Sequence, residues 1–209
     1  MLDEASLGEA RAWMDCARDV LGNFAPGVNF HVEALPGTGA VEWITHLVDR
    51  IEPTTRLVIA AQFWAEKEEE REFSEGAAAF LVEPDAPTGG AILRPMISSN
   101  AALNLGLSQI YEYQMSRDQH RQIWFTGGHD DESTAIRMGL PLDSTDMPPD
   151  RLLDTPLGNP GPSSGWIALA IAMEAMREAG PQLIGWREPN SESLYLCTVS
   201  PLPQEETES

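Results

Sequence analysis

Residues 157–179 read LGNPGPSSGWIALAIAMEAMREA, and no other stretch says as much about the architecture of this chain. Its first part is a loop rich in Gly and Pro, which force turns and let backbones approach closely. A helix follows, with Ser163 or Ser164 as its N-cap and Gly180-Pro181 at its end. Residues 166–173 are apolar on every side, which predicts a helix buried at the centre of an α/β domain.

The glycine-rich loop before this helix has two interpretations. Its backbone N–H groups can be presented to a substrate, or its glycines can allow close packing of the helix against its neighbours. The spacing of the glycines favours packing.

Length and composition indicate one globular domain. The chain has 209 residues, of which 42% are hydrophobic, and a chain of this size buries roughly 70% of its unfolded surface. We expect a single domain over residues 1–199 and an acidic, disordered tail over residues 200–209. No apolar run approaches the ~20 residues of a membrane span, and the acidic N-terminus lacks the features of a secretory signal.

The net charge of −20 restricts the partners that the chain can have. Phosphate backbones and anionic lipids repel such a chain, so we expect no nucleic-acid partner and no membrane partner. The charge suits solubility or a basic protein partner, for which the acidic clusters at residues 66–70 and 205–208 are candidate contacts. Cys16 and Cys197 show no CxxC spacing, which favours a reduced, cytoplasmic protein.

The rest of the chain alternates between strand-like and helix-like patterns. We predict an α/β fold with one mixed sheet and helices on both of its faces. Residues 56–63 are continuously apolar, as in a parallel strand covered on both sides, and residues 76–83 and 90–98 are spaced as an antiparallel pair. The predicted strands are 28–34, 56–63, 76–83, 90–98, 121–125, 182–186 and 193–199; the predicted helices are 5–21, 41–51, 101–115 and 131–138, and residues 139–156 are predicted as a surface loop.

Several of these segments, in this order, resemble the thiolase fold in its β-ketoacyl synthase branch. Residues 73–83, FSEGAAAFLVE, resemble that family's F-x-x-(G)-E/D-G-A-(A/G)-x-L-V-L-E strand, and Gly90-Ala91-Ile92-Leu93 resembles the G-A-x-I strand after it. The loop from Gly158 and the helix after it resemble the family's G-H-x-x-G-x-x-G loop and buried helix. The similarity covers residues 28–199 and implies a shortened thiolase-like mixed sheet, because the opening strand–helix unit and the insertion that caps the family's active site are missing.

The departures from the family's pattern concern its catalytic residues. The nucleophilic Cys of the family should fall near residues 33–37, where this chain has no Cys, and Cys16 and Cys197 lie on other elements. The His of the family's glycine-rich loop is replaced by Asn159, and Asp154 stands where the family often has a Lys. The resemblance therefore implies a truncated, degenerate relative without acyl transfer.

His129 is the candidate for a residual catalytic role. With a slipped alignment it corresponds to the family's remaining catalytic His. The run His129-Asp130-Asp131-Glu132 can be a metal site or a solvated helix start, and the helix start is favoured because acidic residues suit a helix N-terminus. We predict no catalytic, cofactor-binding or metal-binding residues and no cofactor. The side chains of Trp13, Trp43, Trp64 and Trp166 lie on or beside apolar faces and are predicted to be core.

The resemblance also indicates what a thiolase-like chain without acyl transfer would do. We expect a non-enzymatic protein that binds another thiolase-like subunit as a homodimer or heterodimer. Short thiolase-like products similar to this one are encoded beside effector genes of the bacterial type VI secretion system, which implies an adaptor or chaperone for a secreted effector. The alternative is an inactive partner of a β-ketoacyl synthase, like a chain-length factor. An immunity protein or other small binding module, and an enzyme with relocated chemistry at His129 or Cys16, are further alternatives.

Overall fold

A computed structural model describes most of the chain. The described residues are 1–2, 4–50, 53–63, 73–84, 86, 89–115, 119–127, 130–140, 145, 147–159, 161–189 and 191–202. The helices are α1 (Glu4–Leu7), α2 (Ala10–Phe24), α3 (Ala40–Asp49), α4 (Leu103–Tyr113), α5 (Asp130–Gly139), α6 (Asp154–Leu157) and α7 (Ser164–Ala179). The strands are β1 (Arg56–Gln62), β2 (Gly76–Val82), β3 (Gly90–Ile92), β4 (Met96–Ser98), β5 (Gln122–Thr126), β6 (Asp150–Leu152), β7 (Gln182–Arg187) and β8 (Leu194–Pro201).

Six strands form the main sheet, in the order β3-β8-β7-β5-β6, with β4 also paired to β8. β5 is parallel to both β6 and β7, whereas β8 is antiparallel to β7, β3 and β4. The long crossovers between parallel strands contain α5 and α7, as parallel pairing requires. The main sheet is therefore mixed, as the sequence predicted.

Side chains of β8 alternate between two helical layers. Tyr195, Cys197 and Val199 pack with α3 and α7 on one side of the main sheet. Leu194 and Leu196 pack with α4 and α5 on the other side. Helices cover both faces of the main sheet because its strands are apolar in both directions.

The buried helix predicted from residues 157–179 is confirmed as α7. Its Trp166, Ala168, Leu169 and Ala172 are each 0% exposed. The helix lies between the main sheet and a second, small sheet formed by β1 and β2, and the ring of Phe80 on β2 stacks 5.8 Å from that of Trp166. Both layers exclude water from α7, which explains why no polar stripe interrupts its first half.

The environment predicted for residues 56–63 is wrong. β1 is antiparallel to β2 rather than part of a parallel sheet, with Leu57 opposite Leu81 and Ile59 opposite Ala79. Its even-numbered residues face α7, but Leu57 and Ile59 are 47% and 44% exposed. A continuous apolar run does not by itself show that both faces of a strand are covered.

Two other predicted strands differ from the structure. Residues 28–34 form no strand. Met1 and Leu2 lie along the edge of β1 instead, where the N-terminal ammonium donates to Ile59 O (2.7 Å) and Ala61 N–H donates to Met1 O (3.1 Å). Residues 90–98 form β3 and β4, and they pair with β8 rather than with β2. Pro95 separates them because it has no N–H for a ladder bond.

The predicted surface loop at residues 139–156 contains two short elements. β6 extends the main sheet beside β5, and α6 follows it directly. A strand of three residues and a helix of four are too short to produce a periodic pattern. One mixed sheet was predicted, whereas the described residues form two sheets.

The tryptophan predictions are confirmed in part. Trp166 is fully buried and Trp43 packs edge-on against it, with ring centroids 5.5 Å apart. Trp13 is 36% exposed and stacks on Phe63, so it is not core, and Trp64 lies outside the described residues. The predicted domain limits at residue 199 stay a prediction.

Candidate functional site

Glu188, which follows the carboxyl end of β7, contacts the N-terminus of α3, and the parallel strands β5 and β6 lie beside β7. The carboxyl ends of parallel strands are the region where α/β sheets bind ligands. The resemblance places the catalytic centre of the family here, because residues 33–37 precede α3 and the glycine-rich loop precedes α7. Some of the polar groups that reach this region are bonded to one another, whereas Ser163 Oγ and Trp186 Nε1 are buried there without a hydrogen-bond partner.

Glu188, just after β7, caps α3. Its Oε1 accepts hydrogen bonds from the backbone N–H groups of Gly39 (2.9 Å) and Ala40 (3.1 Å). Free N–H groups at a helix N-terminus form an anion site, and here a carboxylate of the same chain occupies it. Burial raises the pKa of Glu188, and nearby Glu42 adds to the increase, although the two backbone hydrogen bonds act in the opposite direction.

The segment that should carry the nucleophile is packed closely. The indole N–H of Trp166 donates to Gly37 O at 3.2 Å. A Cβ atom at Gly37 would lie 3.2 Å from both Leu2 O and Pro162 Cβ, which is tighter than ordinary van der Waals contact. Gly37 therefore lies in a backbone contact with little room for a reactive side chain.

The glycine-rich loop is also used for packing. The Asn159 side-chain oxygen accepts from Gly161 N–H at 2.8 Å, and Asn159 O accepts from Ser74 N–H at 2.7 Å. Cβ atoms at Gly158 and Gly161 would collide with the side chains of Ser74 and Phe73. These contacts agree with the packing interpretation of the loop.

Asp154 holds the turn after β5. One carboxylate oxygen accepts from the Thr126 hydroxyl at 2.6 Å, and the other accepts from Gly127 N–H at 2.9 Å. Asp154, which the resemblance aligns with the family's Lys, is thus engaged by the Gly127 backbone and the Thr126 side chain at the end of β5. Gly128 and His129 lie outside the described residues.

A buried ion pair joins α5 to the end of β7. Glu132 and Arg187 are in contact, with side chains that are 3% and 18% exposed. Arg187 also donates to Ser191 O at 2.9 Å. Within the described residues, no group of three or more His, Cys, Asp or Glu side chains is arranged to hold a metal ion.

The two thiols occupy different environments, and neither is at this region of the fold. Cys16 is exposed on α2, and Cys197 is buried in β8 with its Sγ 3.3 Å from Leu93 O. Burial raises the pKa of Cys197 to about 12. Because a thiol is nucleophilic as the thiolate, Cys197 is unreactive at neutral pH.

A histidine that the sequence analysis passed over, His120, is buried beside β8. Its Nε2 lies 3.3 Å from Thr198 Oγ1, and burial lowers its pKa to about 4. Thr198 and Cys197 are neighbours on one strand and project to opposite faces of the sheet, so His120 cannot activate the Cys197 thiol. The sequence offered no motif around His120 that could have identified it.

Comparisons with known proteins show the fold. No family model and no curated protein matches the sequence. Cerulenin-bound OleA from Xanthomonas campestris is 15% identical with a TM-score of 0.56, over 88% of this chain and 69% of that chain. A chain from the complex of a type II PKS acyl-carrier protein with its ketosynthase is 12% identical with a TM-score of 0.56, over 88% of this chain and 61% of that chain.

The chain therefore has the thiolase-like fold in a shortened form, which confirms the predicted fold class. It spans less than two thirds of the chain from the ketosynthase complex. Among the described helices, none combines the length and the apolar character that crossing a membrane requires.

Proposed function

We propose that this chain is a non-catalytic thiolase-like protein that acts as a protein-binding adaptor or chaperone. The observation that carries the proposal is the contact of the Glu188 carboxylate with the N–H groups of Gly39 and Ala40. That contact occupies two N–H groups at the helix N-terminus next to which the resemblance places the nucleophile.

Acyl transfer needs a thiolate, a base that is oriented toward it, and free donors for the oxyanion. Cys197 is buried with a raised pKa, and Cys16 lies on a surface helix. Glu188 occupies the N–H groups of Gly39 and Ala40 at the start of α3, so these donors are not free for an oxyanion. These arrangements support the proposal that the chain has lost acyl transfer and has kept the thiolase-like fold.

The client that we propose is an effector of a type VI secretion system, held through a homodimer or heterodimer of thiolase-like subunits. The net charge of −20 favours a basic client. The alternative, an inactive partner of a β-ketoacyl synthase, uses the same scaffold and is distinguished by experiment.

Mass spectrometry after incubation with a thiol-reactive acyl analogue tests the absence of catalysis. We expect Cys197 to remain unlabelled in the folded protein and Cys16 to react slowly, at a rate that His129→Ala does not change. Cys16→Ser and Cys197→Ser are the controls that assign each labelled site. Labelling of either thiol that depends on His129 would contradict the proposal and indicate an enzyme.

Affinity capture from the native host, followed by identification of the bound proteins, tests the adaptor role. We expect a secreted effector together with components of the secretion apparatus. Recovery of an acyl carrier protein and a ketosynthase would instead support the alternative.

A further inference from the structure

His120 joins three parts of the fold that are distant in sequence. It lies just before β5, its Nε2 is 3.3 Å from Thr198 Oγ1 on β8, and its ring meets that of Tyr111 on α4 edge-on, with centroids 5.6 Å apart. His120 is 4% exposed and Thr198 is 0% exposed. The imidazole is therefore enclosed where the connection from α4 to β5 lies against β8.

The groups around this imidazole carry no negative charge. Nε2 meets the uncharged Thr198 hydroxyl, and Nδ1 is buried without a hydrogen-bond partner. Within the described residues, no acidic side chain forms an ion pair with His120. From α4 the ring faces Tyr111, whose phenol is uncharged at neutral and acidic pH, and the next residue along the chain, Arg121, is an exposed cation. These surroundings offer nothing that would stabilise a charged imidazole.

The same surroundings determine what protonation would do. A protonated imidazole has two N–H donors and a positive charge. Thr198 Oγ1 can accept one hydrogen bond, but Nδ1–H would have no acceptor, and burying an unpaired charge is costly. Burial accordingly lowers the pKa of His120 from its ordinary value of 6.5 to about 4. The proton therefore favours an arrangement in which the ring reaches water.

Two backbone hydrogen bonds next to these side chains would report such an opening. Arg121 N–H donates to Pro181 O at 2.8 Å, and Leu93 N–H donates to Thr198 O at 2.8 Å. Both lie beside the contact between His120 and Thr198. Helix α7, which has eight buried residues between two sheets, should open only when the whole molecule unfolds.

We propose that the contacts of His120 with Thr198 and Tyr111 form an acid-sensitive latch. Protonation of the imidazole releases the connection between α4 and β5 from β8 while α7 and the sheets around it stay folded. This latch is a conformational device of the fold and does not depend on the adaptor function.

Hydrogen exchange of the Arg121 and Leu93 amides, corrected for the pH dependence of intrinsic exchange, tests the latch. In wild type we expect their protection to fall about tenfold or more between pH 7 and pH 5, because the released ring binds the proton at its ordinary pKa of 6.5 and the enclosed ring does not. The amide of His120→Gln is uncharged at both pH values, so its protection should change less than about twofold. His46→Gln is the matched control, because His46 is exposed on α3, and it should respond as wild type does.

Three results would overturn the latch. They are protection at Arg121 that does not change with pH in wild type, an equal loss in wild type and His120→Gln, and an equal loss in α7, which would mean that the whole molecule unfolds. If His120→Gln does not fold, the NMR signals of the His120 ring in wild type decide the question. Protonation in step with the loss of protection at Arg121 supports the latch, and protonation without that loss contradicts it.

Discussion

At Glu188, charge and helix capping can be separated by two substitutions. In Glu188→Ala the N–H groups of Gly39 and Ala40 lose their acceptor, and we expect the free energy of unfolding to fall by about 1 kcal/mol. In Glu188→Gln an amide oxygen can still accept both bonds, so this matched control should keep most of the stability. Urea unfolding at neutral pH measures both variants, and an equal loss in the two would show that capping is not what Glu188 supplies.

The same residue predicts a dependence of stability on pH. Burial raises the pKa of Glu188 in the folded protein above its ordinary value of 4.5, so the native state binds this proton more tightly than the unfolded state. The stability that arises from this pKa difference is therefore present below pH 4.5 and is lost as the pH rises through the folded pKa. We expect the free energy of unfolding of wild type, relative to Glu188→Gln, to decrease over that range. A difference that does not change with pH would contradict the shift.

A side chain at Gly165 should disturb packing in the core, and substitution of Gly22 is the matched control. A Cβ atom at Gly165 would lie 2.6 Å from the indole nitrogen of Trp186 in the core, so Gly165→Ala should lower the free energy of unfolding by about 1–3 kcal/mol. Gly22 on α2 has no atom within 4 Å of such a Cβ, and Gly22→Ala should stabilise by about 0.5–1 kcal/mol. Chemical denaturation measures both, and a neutral Gly165→Ala would mean that Trp186 moves freely.

The helices α2 and α7 should differ in local stability. α2 has no buried residue among its 15, whereas α7 has eight buried residues between two sheets. Amides in poorly buried elements exchange through local opening, and amides in the core exchange only through global unfolding. We expect hydrogen exchange in α2 to be much faster than in α7, and Trp13→Ala to accelerate α2 alone. Equal protection of the two helices would contradict this reading of α2.

For the whole molecule, the net charge of −20 predicts a response to salt. Repulsion among the acidic groups disfavours the compact state, and the screening length falls from about 30 Å at 0.01 M to about 10 Å at 0.1 M salt. We expect the midpoint of urea unfolding to rise over that range of NaCl. An uncharged osmolyte at matched osmolality is the control, and a midpoint that falls with NaCl would show that attractive ion pairs dominate instead.

Much of the fold could be predicted from local patterns. The all-apolar stretch 166–173 indicated the buried helix, and the alternation of strand and helix patterns indicated a mixed sheet covered by helices. The missed elements, β6 and α6, have three and four residues, which is less than a periodic pattern needs. Residues 28–34 show alternation without forming a strand, because a strand also needs a partner edge, and the first residues of the chain hold that edge.

For the candidate site, the sequence alone shows that residues 33–37 contain no Cys, and the resemblance implies that Asn159 and Asp154 stand at the family's His and Lys positions. Only the folded structure shows that the N–H group of Gly39 at the start of α3 donates to Glu188, 149 residues further along the chain. It also established that Leu57 and Ile59 on one face of the small sheet are exposed. Periodicity and residue type report on neighbours along the chain, whereas capping by a distant carboxylate and the covering of a sheet face depend on which segments meet in space.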